Sequence, residues 1–245
     1  MVGLVKRTRR AVGRATSAGV RALVDSTPIW AREPLAPFAA FADMLVRDHG
    51  IFRVFYLNQH RVSDKVWRSA QPAPYQIAAL RRLGIRTIVN LRGKNPSSSF
   101  WLEARACKRN GITLVNYALR SRAAPSRAEL HGAREVIERI EYPALIHCKS
   151  GADRAGLMSV LYLHVKEGVP IAEAKTALSL RYGHIRQADT GILDYFFERY
   201  LQYNARHPIN FFDWVDNVYD ANELHHAFRS TGWANRLVNS ILRRE

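Results

Sequence analysis

Residues 144–156 of this chain read ALIHCKSGADRAG. The segment opens with a short apolar run, typical of a buried strand, that ends at His147 and Cys148. Arg154 follows, and an apolar helical pattern begins at Ala155. This order predicts a strand, a tight loop and a helix, with a thiol at the floor of the loop.

The predicted loop has the chemistry of an anion site. Backbone N–H groups of residues 149–154 would meet the N-terminus of the following helix, where the helix dipole favours an anion. Arg154 would add a planar guanidinium that matches two phosphate oxygens. The same field should favour the thiolate form of Cys148, and a thiolate beneath a bound phosphate is a nucleophile aimed at phosphorus.

Predicted strands and helices alternate around this segment. Strands are predicted at 65–69, 85–91, 112–119 and 144–148, after a β-like stretch at 51–57; helices are predicted at 37–47, 74–83, 100–110, 126–140, 155–166, 171–180 and 192–205. Such alternation predicts an α/β fold with a mostly parallel central sheet flanked by helices, and with helical N- and C-terminal extensions. Ligands bind such sheets beyond the carboxyl ends of the strands, which is where Cys148 falls.

Three further segments strengthen the interpretation: WRSAQP at 67–72, TIVNLR at 87–92 and RYGH at 181–184. Together with the Cys-x5-Arg loop they resemble the bacterial dual-specificity-like members of the cysteine-dependent protein tyrosine phosphatase superfamily, over about residues 60–200. The resemblance implies a hydrolase of phosphate monoesters that needs neither a cofactor nor a metal. Thiolate Cys148 would form a phosphocysteine while Arg154 and the loop amides hold the phosphate oxygens, and water would then release phosphate.

The resemblance also assigns residues around the loop to substrate binding. They are His147, Lys149, Ser150, Gly151 and Ala152 within the loop, and Arg120, Arg122, His184 and Gln187 outside it. His147 is expected to hydrogen-bond backbone and hold the thiolate geometry. His184 and Gln187 are expected near the opening, where by analogy Gln187 would orient the hydrolytic water.

Two features depart from the superfamily pattern. An aspartic acid that protonates the leaving oxygen usually stands on a loop before the cysteine, but residues 116–125 contain no carboxylate. Asp153 is the first candidate for this acid, and Glu129 and Asp189 are weaker ones; Asp153 is equally suited to pairing with a nearby cation. Ala155 replaces the usual Ser or Thr after the arginine, so hydrolysis of the phosphocysteine should be slower.

The positive charge of the chain indicates which class of substrate it binds. The chain carries a formal net charge of +16, and residues 1–24 hold six Lys or Arg and no acid. Lys149 beside the nucleophile resembles the loop of phosphoinositide phosphatases, and the mouth would be strongly positive with Arg92, Lys94, Arg120 and Arg122 nearby. This predicts a lipid-linked or polyphosphorylated anionic substrate at a membrane surface. A nucleic-acid partner is less well supported, because helix-turn-helix, zinc and aromatic–basic strand patterns are missing from the sequence.

Two other functions stay open. One is a phosphoprotein phosphatase with loose Tyr, Ser and Thr preference, for which Tyr117 or Trp101 would supply an aromatic wall. The other is a low-turnover phosphate-binding regulatory protein, motivated by the missing acid and Ala155. With two cysteines and no apolar spanning run, the chain is expected to be cytoplasmic, with peripheral contact on the inner face of the membrane left open. Cys107 is predicted to be a packed core thiol, with a resolving role toward Cys148 as the alternative.

Composition predicts four parts along the chain. They are a basic N-terminal arm at 1–27, a helical lead-in at 28–59, a phosphatase domain at 60–206, and an aromatic and basic helical extension at 207–245. The aromatic segment at 211–219 should pack back on the domain. The amphipathic pattern at 233–242 suits docking on the core and contact with a membrane or partner equally.

Overall fold

The computed structural model describes residues 29–48 and 50–229. The predicted basic arm at 1–27 and the amphipathic pattern at 233–242 therefore lie outside the described residues. In the described part of the chain, no helix is both long enough and apolar enough to cross a membrane.

Five strands form one mixed sheet. They are β1 (His60–Arg61), β2 (Val66–Ala70), β3 (Thr87–Asn90), β4 (Thr113–Asn116) and β5 (Ala144–Cys148), in the spatial order β1-β2-β5-β3-β4. Strands β2, β5, β3 and β4 are parallel, and only the short β1 pairs in the antiparallel sense. This confirms the predicted mostly parallel sheet. The register sets Ala70 opposite Cys148 and Asn90 opposite His147, so β2 and β3 flank the end of β5.

Helices cover the sheet, and further helices precede and follow its strands in the chain. They are α1 (Ile29–Arg47), α2 (Gly50–Phe55), α3 (Pro74–Arg82), α4 (Ser98–Asn110), α5 (Arg127–Arg139), α6 (Asp153–Glu167), α7 (Ile171–Ala174), α8 (Ile192–Asn204), α9 (Phe211–Asn217) and α10 (221–229). Ser126 caps α5 as predicted, through a capping box with Glu129 that satisfies backbone N–H groups at the start of the helix.

Two predicted elements are wrong. The β-like stretch at 51–57 is mostly helix, because α2 packs Val54 against a small apolar cluster rather than joining a sheet edge. The predicted helix at 171–180 stops after four residues and continues as a 3-10 turn, Lys175–Ala177. There the buried guanidinium of Arg68 donates a hydrogen bond to the Ala177 carbonyl. In a longer helix that carbonyl would have accepted from an N–H group of the helix.

The two faces of the sheet bury separate cores. On one face Leu145 packs with side chains of α3 and α4, among them the fully buried Cys107. On the other face Ile146 and Cys148 pack with α5, α6 and α8. Because neighbouring residues of a strand point to opposite faces, the two cysteines belong to different cores. Cys107 is thus a packed core thiol, and burial raises its pKa to about 12, with the nearby Glu103 charge adding to the shift.

The C-terminal aromatic segment packs back on the domain, as predicted. Phe211, Trp214 and Tyr219 are buried and join the core beneath α8 through contacts with Phe196.

In the N-terminal lead-in, α1 lies along α4, with Met44 and Leu102 in one apolar cluster. The lead-in thereby brings residue Asp48, just after α1, to the carboxyl edge of the sheet.

Candidate active site

Cys148 is the last residue of β5, and only 2% of its surface is exposed. The chain then turns through Lys149–Ala152 into α6, whose first residues are Asp153 and Arg154. One guanidinium nitrogen of Arg154 lies 3.4 Å from the Leu91 carbonyl, just beyond β3. The strand, loop and helix therefore follow the predicted order.

The loop passes so close to β2 that it needs glycine. Gly151 has a φ of +78°, and a Cβ there would lie 2.6 Å from the backbone nitrogen of Ala70. A Cβ on Gly156, inside α6, would lie 2.7 Å from a methyl carbon of Leu178. Any side chain at Gly151 would push the loop off the sheet.

Arg68 holds two carbonyls of the loop from behind. Its guanidinium donates to the carbonyl oxygens of Gly151 at 2.8 Å and Ala152 at 2.7 Å, and also to that of Ala177 at 2.6 Å. The side chain is fully buried and its carbon Cζ lies 4.1 Å from the ring centre of Tyr182. Burial lowers the pKa of Arg68 to about 10, so the group is still a cation at neutral pH.

Asn58 holds a third loop carbonyl. Its backbone is in the left-handed region at φ 49°, and its side-chain nitrogen donates to the carbonyls of Ser150 and Tyr182, each at 2.9 Å. A trans peptide sets its N–H opposite its C=O. The N–H groups of residues 151–153 therefore point away from Asn58 and Arg68, which is the orientation an anion cradle requires.

A buried carboxylate lies beside His147. Glu103 on α4 and His147 are both fully buried, with Oε1 and Nε2 2.5 Å apart. The two atoms are close, but their alignment does not make a well-formed hydrogen bond. The other Glu103 oxygen accepts from the Gln71 side chain at 2.7 Å, and His147 Nδ1 lies 3.2 Å from the Cys148 carbonyl oxygen. His147 thus contacts backbone at the loop, as expected.

His184 is buried between two carboxylates and lies beside the loop rather than at its opening. Its Nδ1 is 2.8 Å from Asp153 and its Nε2 is 2.6 Å from Asp194 on α8. Burial alone would lower the pKa of the imidazole, but the bonds to the two carboxylates outweigh it and raise the pKa to about 9. Asp153 is therefore paired with a protonated histidine, in place of the Arg or Lys considered from the sequence.

The other candidate acids are engaged or distant. Glu129 closes the capping box of α5 and binds Arg120 at 2.6 Å. Burial would raise the pKa of Glu129, but the hydrogen bond from Arg120 and those from Ser126 lower it, so Glu129 is a carboxylate at neutral pH. Asp189 is exposed at the start of a 3-10 turn.

Two residues that were expected to bind substrate, Arg122 and Gln187, are also exposed.

Asp48 gathers the basic residues at the rim of the loop. Its carboxylate lies 2.6 Å from Arg92, 3.0 Å from Arg53 and 3.0 Å from Lys149, and it accepts from Ser99 at 2.7 Å. Burial would raise the pKa of Asp48, but the hydrogen bond from Arg92 and the charge of Arg53 reverse the effect and lower it strongly. Asp48 is therefore a permanent anion and not a proton donor.

A cavity of about 800 Å³ opens beside the loop. Lys149, Ser150 and Ala152 form its floor. Its walls come from the lead-in and the segment after α7, with Ile51, Phe55, Tyr56, Asn58, Tyr182 and Gly183 among the lining residues. Cys148 and Arg154 are not among the lining residues, so the cavity flanks the cradle and is not the cradle itself.

The aromatic residues predicted for this wall lie elsewhere. The Tyr117 hydroxyl donates to the Glu129 carbonyl at 2.7 Å, and Trp101 lies on the outer side of α4 near Arg105. Tyr56 and Tyr182 supply the rings that border the cavity instead.

Residues 55–190, more than half of the chain, match the family model described as "DSP-PTPase phosphatase fused to NAD+ Kinase". The chain belongs to this DSP-PTPase phosphatase family. The matched range contains the whole sheet and the loop from Cys148 to Arg154. The predicted resemblance to dual-specificity-like phosphatases is thereby confirmed.

A curated relative also carries a dual specificity phosphatase name. The chain is 31% identical over 112 residues to the dual specificity protein phosphatase TpbA of Pseudomonas aeruginosa, which is 46% of this chain and 49% of TpbA. The chain thus spans about half the length of the curated relatives it matches. The crystal structure of P. aeruginosa TpbA aligns with a TM-score of 0.47 at 19% identity, covering 70% of this chain and 90% of that one. That of Tk-PTP aligns with a TM-score of 0.45 at 23% identity, covering 59% and 99%.

Sequence reasoning missed four residues that shape this DSP-PTPase site: Asp48, Asn58, Arg68 and Glu103. One signal was available for Arg68, since a charged residue inside an otherwise apolar, buried strand requires a partner. The other three carried no local signal, because each acts on a residue far away in the chain.

Proposed function

We propose that this chain is a cysteine-dependent phosphatase that hydrolyses phosphate monoesters through a phosphocysteine. The supporting observation is the loop itself: Cys148 ends β5, Asn58 and Arg68 hold the loop carbonyls from behind, and Arg154 stands in the first turn of α6. The thiolate of Cys148 forms the S–P bond as the bond from phosphorus to the leaving oxygen breaks. Water then attacks phosphorus, breaks the S–P bond and releases inorganic phosphate.

The proposed source of the proton for the leaving oxygen is the hydrogen-bonded pair of Asp153 and His184. The proton is held on the imidazole, whose pKa is about 9, and it passes from Nδ1 through the Asp153 carboxyl group to the leaving oxygen as the bond to phosphorus breaks. The variant Asp153→Asn should lower kcat for alkyl phosphates much more than for p-nitrophenyl phosphate, whose leaving group needs little protonation. Equal losses on both substrates would contradict the assignment.

The proposed substrate is a lipid-linked phosphate monoester. Its apolar part would occupy the cavity beside the loop, against Ile51, Phe55 and Tyr56, while its phosphate sits over Cys148. The cavity combines a cation, Lys149, with apolar side chains, which suits a phosphorylated headgroup joined to an apolar chain.

A membrane surface is the proposed location of this substrate. Leu35, Phe38 and Val46 share one exposed face of α1, and Phe55 on α2 is 85% exposed. Phe55 also lines the cavity, and exposed apolar side chains that group together are typical of an interaction surface. The net charge of +16 favours an anionic leaflet, with each nearby cation contributing about 1 kcal/mol.

The decisive experiment measures phosphate release from phosphatidate in phosphatidylglycerol vesicles, from inositol phosphates and from phosphopeptides. Cys148→Ser should abolish release, whereas Cys107→Ser, the matched control in the opposite core, should retain it. Release that persists in Cys148→Ser would refute the proposed nucleophile.

Vesicle sedimentation tests the membrane contact separately. Phe38→Ser and Phe55→Ser each remove an exposed apolar side chain and should weaken binding to phosphatidylglycerol vesicles several-fold. Leu83, which is 59% exposed after α3, offers the matched control Leu83→Ser. If both lead-in variants bind as the wild type does, and if deletion of 1–24 and 229–245 also changes nothing, the chain does not dock through these parts.

A second candidate is a phosphoprotein phosphatase, which the name of TpbA favours. Its signature would be efficient turnover of phosphopeptides with little release of phosphate from phosphatidate.

The remaining alternative, a phosphate-binding regulatory protein, is favoured by Ala155, which is buried and leaves the site without a hydroxyl after the arginine. If phosphocysteine accumulates and no substrate turns over, the chain is a phosphate-binding regulatory protein.

A further inference from the structure

The basic residues at the rim carry less free charge than their number suggests. Lys149, expected to bind substrate, and Arg92, expected near the mouth, both contact Asp48, and so does Arg53. Arg120 is paired with Glu129. Four of the cations are therefore paired with carboxylates of the chain itself.

Lys149 is the member of this cluster that a substrate can reach. Its side chain is 45% exposed and lines the cavity, whereas those of Arg53 and Arg92 are 8% and 15% exposed. Asp48 is 13% exposed and also lines the cavity. A second phosphate on the substrate would have to approach Lys149 at the place where the Asp48 carboxylate already lies.

We propose that Asp48 denies the site a gain in affinity from a second phosphate on the substrate, an inference that rests on the proposed function. Asp48 holds Lys149 and Arg92, and its negative charge repels a second phosphate at the rim. The proposed phosphate site over Cys148 uses the loop amides and Arg154 rather than the side chains that Asp48 holds, so its affinity should depend much less on Asp48. One residue of the lead-in thus cancels the preference for a polyphosphorylated substrate that the basic sequence favours.

The test uses binding to Cys148→Ser protein, so that it does not require turnover. In this background, inositol bisphosphate and inositol monophosphate should bind within about threefold of each other. Adding Asp48→Asn should tighten bisphosphate binding at least about tenfold, because freed cations form charged hydrogen bonds with the second phosphate. Monophosphate binding should change less than about twofold.

Two further variants separate charge from general disturbance. Lys149→Ala added to Asp48→Asn should cancel most of the gain. Asp43→Asn is the matched control, since Asp43 lies on α1 and bonds Arg47 and Ser98 away from the rim. It should alter neither affinity.

Three results would overturn the inference. One is a folded Asp48→Asn protein, checked by circular dichroism and thermal unfolding, that binds the bisphosphate no more tightly. Another is an equal gain for both ligands. The third needs no variant at Asp48: bisphosphate binding ten times tighter than monophosphate binding with Asp48 in place. Absent turnover in the wild type would refute the proposed function but would leave this binding comparison intact.

Discussion

Replacement of Arg68 by methionine should damage both stability and catalysis. The substitution keeps an unbranched side chain but removes a donor from three buried carbonyls, those of Gly151, Ala152 and Ala177. The Ala152 carbonyl keeps the N–H of Gly156 at 3.0 Å. Each unsatisfied carbonyl costs about 1–3 kcal/mol, and loss of a buried cation returns part of this. We expect the free energy of unfolding to fall by about 3–5 kcal/mol, as when a buried polar partner is lost.

The catalytic loss follows from the same contacts. Without Arg68 the loop carbonyls turn toward other donors, and the peptide N–H groups that face the phosphate shift with them. A displacement of about 1 Å lowers kcat by about a hundredfold. Arg68→Lys keeps the charge but not the planar fork and should fall between methionine and the wild type.

Urea unfolding and p-nitrophenyl phosphate hydrolysis measure the two effects. Arg61→Met is the matched control, because Arg61 lies on β1 in an exposed pair with Asp64, and it should change stability by less than about 0.5 kcal/mol. If Arg68→Met were as stable and as active as Arg61→Met, Arg68 would not support the loop, and the account of the cradle would be wrong.

Three other predictions concern the charge of His184, the backbone at Gly151 and the thiol of Cys107. The pKa of His184 is about 9 in the folded protein against an ordinary 6.5, so its contribution to stability, about 3 kcal/mol, is complete below pH 6.5 and is lost as the pH rises through 9. His184→Gln should remove this part of the pH profile of chemical unfolding; an unchanged profile would contradict the assignment. Gly151→Ala should abolish phosphate binding in calorimetry, whereas Gly168→Ala, at φ +70° with no atom within 4 Å, should cost only about 1 kcal/mol of stability; similar effects at both sites would disprove the close approach of the loop to β2. In Cys148→Ser protein, iodoacetamide at pH 8 should leave Cys107 unmodified until denaturant is added, and mass spectrometry showing native labelling would refute its burial.

Local patterns in the sequence predicted most of the fold. The run at 144–148 is a strand as predicted, and Ser126 caps α5, because both depend on residues within a few positions of each other. The failures at 51–57 and 171–180 have the opposite cause. There the local pattern was overruled by tertiary contacts, of Val54 with the cluster of Met44, Ala73 and Leu102 in one case and of Arg68 with Ala177 in the other.

The same division runs through the site. The loop from Cys148 to Arg154 is predictable from local sequence, because a strand, a glycine turn and a helix N-terminus are encoded in thirteen consecutive residues. The residues that surround the loop come from distant parts of the chain and are known only from the fold. Asn58 reaches Ser150 across 92 positions and Arg68 reaches Gly151 across 83. Pairings of this kind depend on which side chains the folded sheet and helices bring together. The sequence shows the basic residues at the rim, but only the structure shows that Asp48 offsets part of their charge by its contact with Lys149.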